Sequence, residues 1–436
     1  MNPLELGDPP MRYRNPMAQP TCQSRGDRSL AFALLRDCCQ TQLGGKPDDG
    51  EAMAAHRRGE FPWPIFIELA QWHGVLPLAY HGLKQHYWPA IPPPIQQQLT
   101  ALFHQQLQRN AQLLLTVKQL LPTLAAVGLP ILPIKGVLFA LSIYGNLTQR
   151  RVRDIDLLVD PEKLAAVYGA LQRQGYQESD RLSPEQQARR WETHYEMLLT
   201  HPDTGMQIDL HWRLVPAYFG CQVPVADLWQ RAKVETHQGI TFHQCAPEDL
   251  FLILCLNGAK DGWLELQRVC DLVACLRQYP DLNWRQLWQR CQEYAGERVL
   301  LMGLAMARAL FAIDLPPWLI RELEGDGEAI ADRTVARLSG KICQQLERGV
   351  CITPSVVERD LFPLQLQRGW VSRGRSLLTL LLPINERDLA WITLPPWLHW
   401  LYYPLRILRL LGKYSLGIGG KVLKSRPSGQ GESPNP

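Results

Sequence analysis

The sequence predicts an α+β fold, a small mixed sheet flanked by helical regions on both sides along the chain. Three observations carry this. Apolar residues recur at helical spacing up to Val127, and again from about Val225 to residue 350. Between those stretches, short strand-like and helix-like segments alternate and end in two strands joined by a turn. The central stretch also places acids inside its strand-like runs, which neither flank does. With 436 residues, the chain exceeds the size at which single cores usually divide, so two or three domains are expected.

The elements follow in order. Residues 1–26 are proline-rich and polar and read as a flexible N-terminus. Residues 27–127 read as a helical region. Leu30–Gln42 is helix-like, and Trp63–Tyr87 reads as two short helices with a turn, because Gly74 and Pro77 interrupt the pattern. The run Pro92-Pro93-Pro94 then opens one long helix carrying Leu99, Phe103, Leu113, Val117 and Leu124, with a kink expected at Pro122. Gly128 stops it, and residues 128–224 form the α/β core. LPILPIKG gives a short buried strand ending at Lys135-Gly136. Val137–Tyr144 is helical, Asp154–Val159 a strand, and Pro161–Gln174 a helix. Tyr195–Thr200 and Met206–Leu214 form a hairpin across the turn-rich HPDTG. Residues 225–415 read as a helical C-terminal region in which Pro247 opens a helix, and residues 416–436 have the composition of a disordered tail.

Composition excludes more than it selects. At 46% hydrophobic and 20% charged residues the chain is globular in type, and a formal net charge of +4 neither demands nor excludes nucleic acid. The 11 cysteines include no Cys-x-x-Cys pair and read as buried reduced thiols. The N-terminus lacks the apolar core of a signal peptide. Prolines and arginines break the apolar region Leu394–Leu411, so a cytoplasmic protein without integral membrane association is expected.

The chemistry concentrates in RRVRDIDLLVD, residues 150–160. Side chains alternate along a strand, so Asp154 and Asp156 share one face while Ile155, Leu157 and Val159 share the other. In the second acidic strand Gln207, Asp209, His211 and Arg213 lie opposite Met206, Ile208, Leu210 and Trp212. Such acids either cap and pair with neighbouring arginines or surround a cation. Three carboxylates brought together repel one another unless a positive charge sits among them. Carboxylates on adjacent strands suit Mg²⁺, which takes oxygen ligands and shares its sphere with substrate phosphates. Two such ions can activate an attacking oxygen and stabilise the leaving one.

The order strand, Lys135-Gly136, helix, Asp154-Ile155-Asp156, then Asp209 within a hairpin resembles the polymerase-β-like nucleotidyltransferase superfamily. It is closest to a bacterial branch described as uncharacterised nucleotidyltransferases. That branch has Lys-Gly where the superfamily has Gly-Ser, an arginine before the acid pair, and a third acid in a segment like Ile208–Trp212. Further similar segments are His73-Gly74, Arg268 with Asp271-Leu272, and Leu394-Pro395 through Arg406. The resemblance spans roughly residues 60–415 and is specific over about 130–215. It implies that Asp154 and Asp156 are the metal-binding pair and Asp209 the third carboxylate, which shares a metal and accepts the acceptor's proton. It further implies that Gly136 lets a phosphate approach the backbone, that Lys135 gives the triphosphate a point charge and that Arg153 forks a phosphate oxygen. Two departures stand out: no serine follows Gly136, and the spacing from Gly136 to Asp154 is longer than the superfamily's.

The expected activity is thus Mg²⁺- or Mn²⁺-dependent transfer of a nucleoside monophosphate from an NTP to an acceptor hydroxyl, with release of pyrophosphate. The alternatives are phosphoryl transfer on the same metal site, and a nucleotide-binding or scaffold protein without turnover. His211 is a candidate neighbour of the site, and His194 and Glu196 are weaker ones. Arg150 and Arg151 are either phosphate contacts or solvated loop residues. Lys260, Asp261, Arg268 and Asp271 are read as structural ion pairs. Tyr403–Arg409, YPLRILR, is a basic amphipathic helix that packs on the core, pairs with a partner or touches a membrane surface; packing is the reading taken.

Overall fold

The structure is a computed structural model that describes residues 25–46, 61–179, 182–324, 331–348, 356–385, 388, 389, 392, 394 and 396–410. The stretch 1–24 and the tail 416–436 lie outside the described residues.

The central sheet has four strands, β1 (Leu132–Pro133), β2 (Ile155–Leu158), β3 (Glu196–Thr200) and β4 (Gln207–His211), in the order β1-β2-β4-β3. β2 and β4 are parallel; the two outer pairings are antiparallel. The expected strands form, each shortened to its hydrogen-bonded centre. Their inward residues, including Ile155, Leu157, Ile208 and Leu210, share a core with Val137, Leu141, Val167 and Leu171 from the two helices that follow β1 and β2.

The helical flanks are one body. Residues from Ala31 to Phe103 and from Leu250 to Leu346 lie in a single hydrophobic cluster, so the regions before and after the sheet fold against each other. The helix Pro93–Ala126 bridges the two cores. Its first turns place Leu99 and Phe103 in the flank cluster, and its later turns place Leu113, Val117 and Leu124 in the sheet cluster. The two short helices around Gly74 are present as Trp63–Trp72 and Leu76–His86. Between them, the His73 carbonyl accepts from the Gln267 amide. Its Nδ1 lies 3.4 Å from the Leu266 amide, and its Nε2 lies 3.0 Å from the Leu346 carbonyl. The imidazole is thus an acceptor on one nitrogen and a donor on the other, a neutral tautomer, and burial lowers its pKa to about 4.

One element departs from the helical reading after Val225. Residues Lys233–His237 (β5) and Ile240–Gln244 (β6) form a hairpin. Gln238 and Gly239 at its turn both have positive φ, the two-residue geometry that twists with its strands. Only Ile240 and Phe242 of this ribbon are buried apolar side chains, too few to give a clear alternation in sequence. The remainder is helical, including Pro247–Lys260, which opens at its proline as expected. Among the described residues the cysteines are free thiols, all but Cys343 buried, and no helix is long and apolar enough to cross a membrane.

Candidate metal and nucleotide site

Register brings the acids together. In the parallel pair β2 and β4, Asp156 lies directly opposite Asp209, and Leu158 opposite His211. Neighbouring parallel strands orient paired residues to the same face, so both carboxylates emerge side by side. One ligand atom each from Asp156, Asp209 and His211 lies within 4.8 Å of the others, and all three residues are buried. Asp154 sits at a bend just before β2, half-buried and outside this group of three, and its charge acts on Lys135.

A built-in cation meets this cluster. Lys135 Nζ lies 2.9 Å from Asp156 Oδ1, with both side chains nearly inaccessible. Burial works against the ammonium, but Asp156 and then Asp154 outweigh it, and the Lys135 pKa is raised. For Asp156, burial alone would raise the pKa; Lys135 and His211 reverse this and hold the carboxyl well below the ordinary carboxylate range. His211 Nε2 is 3.3 Å from Asp156 Oδ1, and its Nδ1 is 3.3 Å from Glu196 Oε2. Glu196 in turn reaches Lys260 Nζ at 3.4 Å. Burial pushes the His211 pKa down against the pull of the carboxylates. The result is an alternating row, Lys135, Asp156, His211, Glu196, Lys260, with Asp209 beside it.

Glu196 and Lys260 are the residues that sequence reasoning underused. Glu196 faces His211 because β3 and β4 pair with Thr200 opposite Gln207, which sets Glu196 opposite His211. The strand ends read from the sequence, Thr200 and Met206, would have set Glu196 opposite Leu210, so the observed register was not readable from the turn. Lys260 comes from the last turn of a helix far along the chain, and no local pattern signals it.

Gly136 links Lys135 to the helix Val137–Ile143 as its N-cap, with φ +82° and ψ −147°. This conformation is essentially restricted to glycine. A Cβ there would sit 3.3 Å from the Asp154 carbonyl oxygen and 3.9 Å from Asp156 Oδ2, so the glycine backs directly onto the acid strand.

The arginines before the acids divide by role. Arg150 is buried and makes a two-pronged pair with Asp271, Nε to Oδ1 at 2.8 Å and Nη2 to Oδ2 at 2.8 Å, while Tyr144 donates to the same carboxylate. This fits the ion-pair reading of Asp271 and replaces the solvated-loop reading of Arg150. Arg151 donates to the Gln71 carbonyl and lies 3.7 Å from Glu265. Arg153 is paired with Glu265 at 2.6 Å, and Arg268 with Asp261 at 2.6 Å. A phosphate approaching Arg153 therefore competes with Glu265. His194 gives its carbonyl to Arg213.

The donor set fits a hard divalent cation. Two carboxylates supply oxygen ligands of the kind Mg²⁺ and Mn²⁺ take, and the adjacent imidazole offers a nitrogen that transition metals accept. The ammonium already seated on Asp156 shows that this position attracts positive charge. The family model described as uncharacterised nucleotidyltransferase matches residues 59–312, more than half of the chain. The chain belongs to this nucleotidyltransferase family. The match runs from the helix at Trp63 through the sheet and the helices that follow, and so covers part of the flank cluster as well as the acid strands. No curated protein and no solved structure matches this family member.

Proposed function

We propose that this nucleotidyltransferase moves a nucleoside monophosphate from an NTP to an acceptor hydroxyl, with Asp154, Asp156 and Asp209 holding Mg²⁺ or Mn²⁺. The observation that carries this reading is the in-register pairing of Asp156 with Asp209 on parallel strands, with His211 alongside. In the reaction the acceptor oxygen forms a bond to the α-phosphorus, the bond to the bridging β-phosphate oxygen breaks, and pyrophosphate leaves. A metal held there would supply charge stabilisation to the triphosphate. Asp209 takes the acceptor's proton. Lys135 would lend its ammonium, now paired with Asp156, to the triphosphate, and Gly136 would allow a phosphate to approach the backbone beside the acid strand. Arg153 meets a phosphate oxygen by exchanging its partner Glu265.

A second reading is a nucleotide-binding protein without turnover. It is favoured by Val137 standing where the superfamily carries serine, and by the ammonium that already neutralises Asp156. The experiment is a screen of ATP, CTP, GTP and UTP, each labelled at the α- or γ-phosphate, against RNA, peptide, protein and metabolite acceptors with Mg²⁺ or Mn²⁺. Transfer of α-label with release of pyrophosphate is the expected result. Transfer of γ-label would assign phosphoryl transfer, and nucleotide binding without transfer of either label would assign the second reading.

A further inference from the structure

The C-terminal segment is built the opposite way round from the rest of the molecule. Among the described residues, fourteen large apolar side chains are exposed, and eleven of them fall between Trp370 and Leu408. Their placement is ordered. On the helix Trp370–Leu381 and its C-cap, the exposed Trp370, Val371, Leu377, Leu378 and Leu382 recur at intervals that put them on one helical face. The buried residue of that helix is a polar one, Ser376. Arg373 and Arg375, both exposed, project to either side of the apolar face.

The following segment repeats the arrangement. Trp397, Trp400, Tyr403, Ile407 and Leu408 are exposed, whereas Arg406 and Asp388 are buried. Arg406 donates to the Leu381 carbonyl at 2.7 Å and the Leu380 carbonyl at 2.9 Å, and pairs with Asp388 at 2.7 Å. Arg409 reaches the other oxygen of Asp388 at 2.8 Å. The polar groups thus tie the two helical pieces together from inside and leave the apolar residues outside. This corrects the expectation that Tyr403–Arg409 packs its apolar face on the core. Inward packing would have buried Ile407 and Leu408, and instead Tyr402, Arg406 and Leu410 are the buried residues of this turn.

An outward apolar face of this extent needs an apolar neighbour. The composition of the face says which kind. Trp370, Trp397 and Trp400 are 85%, 75% and 63% exposed. Exposed Trp and Tyr with flanking arginines suit the boundary between lipid headgroups and acyl chains, where the ring lies in the apolar layer and the guanidinium reaches phosphate. The charge has the matching sign: residues 366–410 contain six arginines, no lysine, one glutamate and one aspartate. Beyond them in sequence come Lys413, Lys421, Lys424 and Arg426 against Glu432 alone.

We propose that the exposed apolar residues of the helix Trp370–Leu381 and of residues 396–408 dock this protein on an anionic lipid surface, as a peripheral attachment made by two amphipathic helical pieces. The test is co-sedimentation of the full chain with vesicles of phosphatidylcholine alone, and with vesicles containing about one third phosphatidylglycerol. The chain is expected to sediment with the anionic vesicles and to be released in roughly 0.5 M salt. Trp397→Glu/Trp400→Glu should weaken binding by about tenfold or more, because it places charge in the apolar layer. Arg373→Glu/Arg375→Glu should weaken it several-fold while leaving binding to neutral vesicles unchanged. Unaltered melting temperatures in both variants check that they fold. The proposal is overturned if the parent chain ignores anionic vesicles, or if neither variant weakens its binding. It is also overturned if the parent is a dimer that Trp397→Glu/Trp400→Glu dissociates, which gives the face to a second copy. Vesicle binding that emerges only after removal of residues 411–436 would give it to the chain's own tail.

Discussion

Two buried charged clusters lie close together in this protein and are balanced differently. At Arg150 and Asp271, one guanidinium meets one carboxylate through two short hydrogen bonds, and the Tyr144 hydroxyl donates to the same group. Every strong acceptor there has its donor, as a buried pair requires. At Asp156 and Asp209, with Asp154 two residues upstream, carboxylates outnumber the ammonium of Lys135 that faces them. A cluster that is balanced in itself holds a fold together. One that carries excess negative charge can take up a cation, which is the basis of the ligand-binding role proposed for it.

The largest expected effect tests the second cluster. Asp156→Asn and Asp209→Asn should each lower nucleotidyl transfer by about 10²–10³-fold or more, the scale of removing a group that stabilises the transferring phosphate. The two should differ in stability. Clustering alone predicts that losing one charge relieves repulsion, and that outcome is expected for Asp209→Asn, whose melting temperature without metal should be unchanged or higher. Asp156→Asn also removes the anion that Lys135 touches, so it should cost about 1–2 kcal/mol, moderated by Asp154 and Asp209 nearby. In both variants Mg²⁺ with NTP should raise the melting temperature less than in the parent. A full thermal response to Mg²⁺ and NTP in both would remove the metal assignment.

The first cluster should break in the opposite manner. Asp271→Leu leaves Arg150 buried without its carboxylate and is expected to cost about 3–5 kcal/mol, whereas Arg150→Met/Asp271→Leu should recover most of that loss. Denaturant titration of the two variants measures this, and neither should alter the metal dependence of any transfer activity. Near Gly136 the effect is smaller. Gly136→Val forces a Cβ into a glycine-only conformation and against the Asp154 carbonyl, costing about 1–3 kcal/mol. It should weaken nucleotide binding in a fold that still melts cooperatively; normal nucleotide binding would displace the phosphate assignment.

The effects of pH are spread gradually over two windows. His73 has a pKa lowered to about 4 by burial, so the unfolded chain takes up its proton first. Its contribution is complete above the ordinary histidine pKa and falls as pH drops from about 6.5 to 4, by up to ~1.4 kcal/mol per pH unit. Glu265, which burial would raise, is held at about 2 by Arg153, Arg268 and Arg151. Its contribution is complete above its unfolded pKa and is lost as pH falls from about 4.5 towards 2. Chemical unfolding between pH 7 and 3 should show both slopes. His73→Gln should reduce the upper slope, to which His81 and His211 also contribute, and Glu265→Gln the lower, to which Asp156 also contributes.

Much of the candidate site was legible because it depends on local rules. Alternation along a strand put Asp209 with His211, and the strands formed where their apolar residues predicted, while Asp154 falls at a bend before β2, outside the group of Asp156, Asp209 and His211. The pairing of Glu196 with His211 was not legible, because the turn HPDTG taken between Thr200 and Met206 gives a register one residue away from the observed one. The β5–β6 hairpin was not, since only two of its apolar residues are buried and the helical spacing on either side dominates the pattern. Arg150 looked like its neighbours in RRVR, and only its partner 121 residues away distinguishes it.

By itself the sequence determined the elements, the faces of the acid strands and the family, because those follow from side-chain periodicity and motif order within short windows. Tertiary structure decided which charges meet. The parallel register of β2 and β4 set Asp156 against Asp209, packing seated Lys135 on Asp156, and Lys260 closed the row from a distant helix. It also decided the orientation of residues 370–408. An amphipathic helix has the same periodicity whichever face it buries, and here Arg406, hydrogen-bonded to the end of the preceding helix and paired with Asp388, turns the apolar face outward.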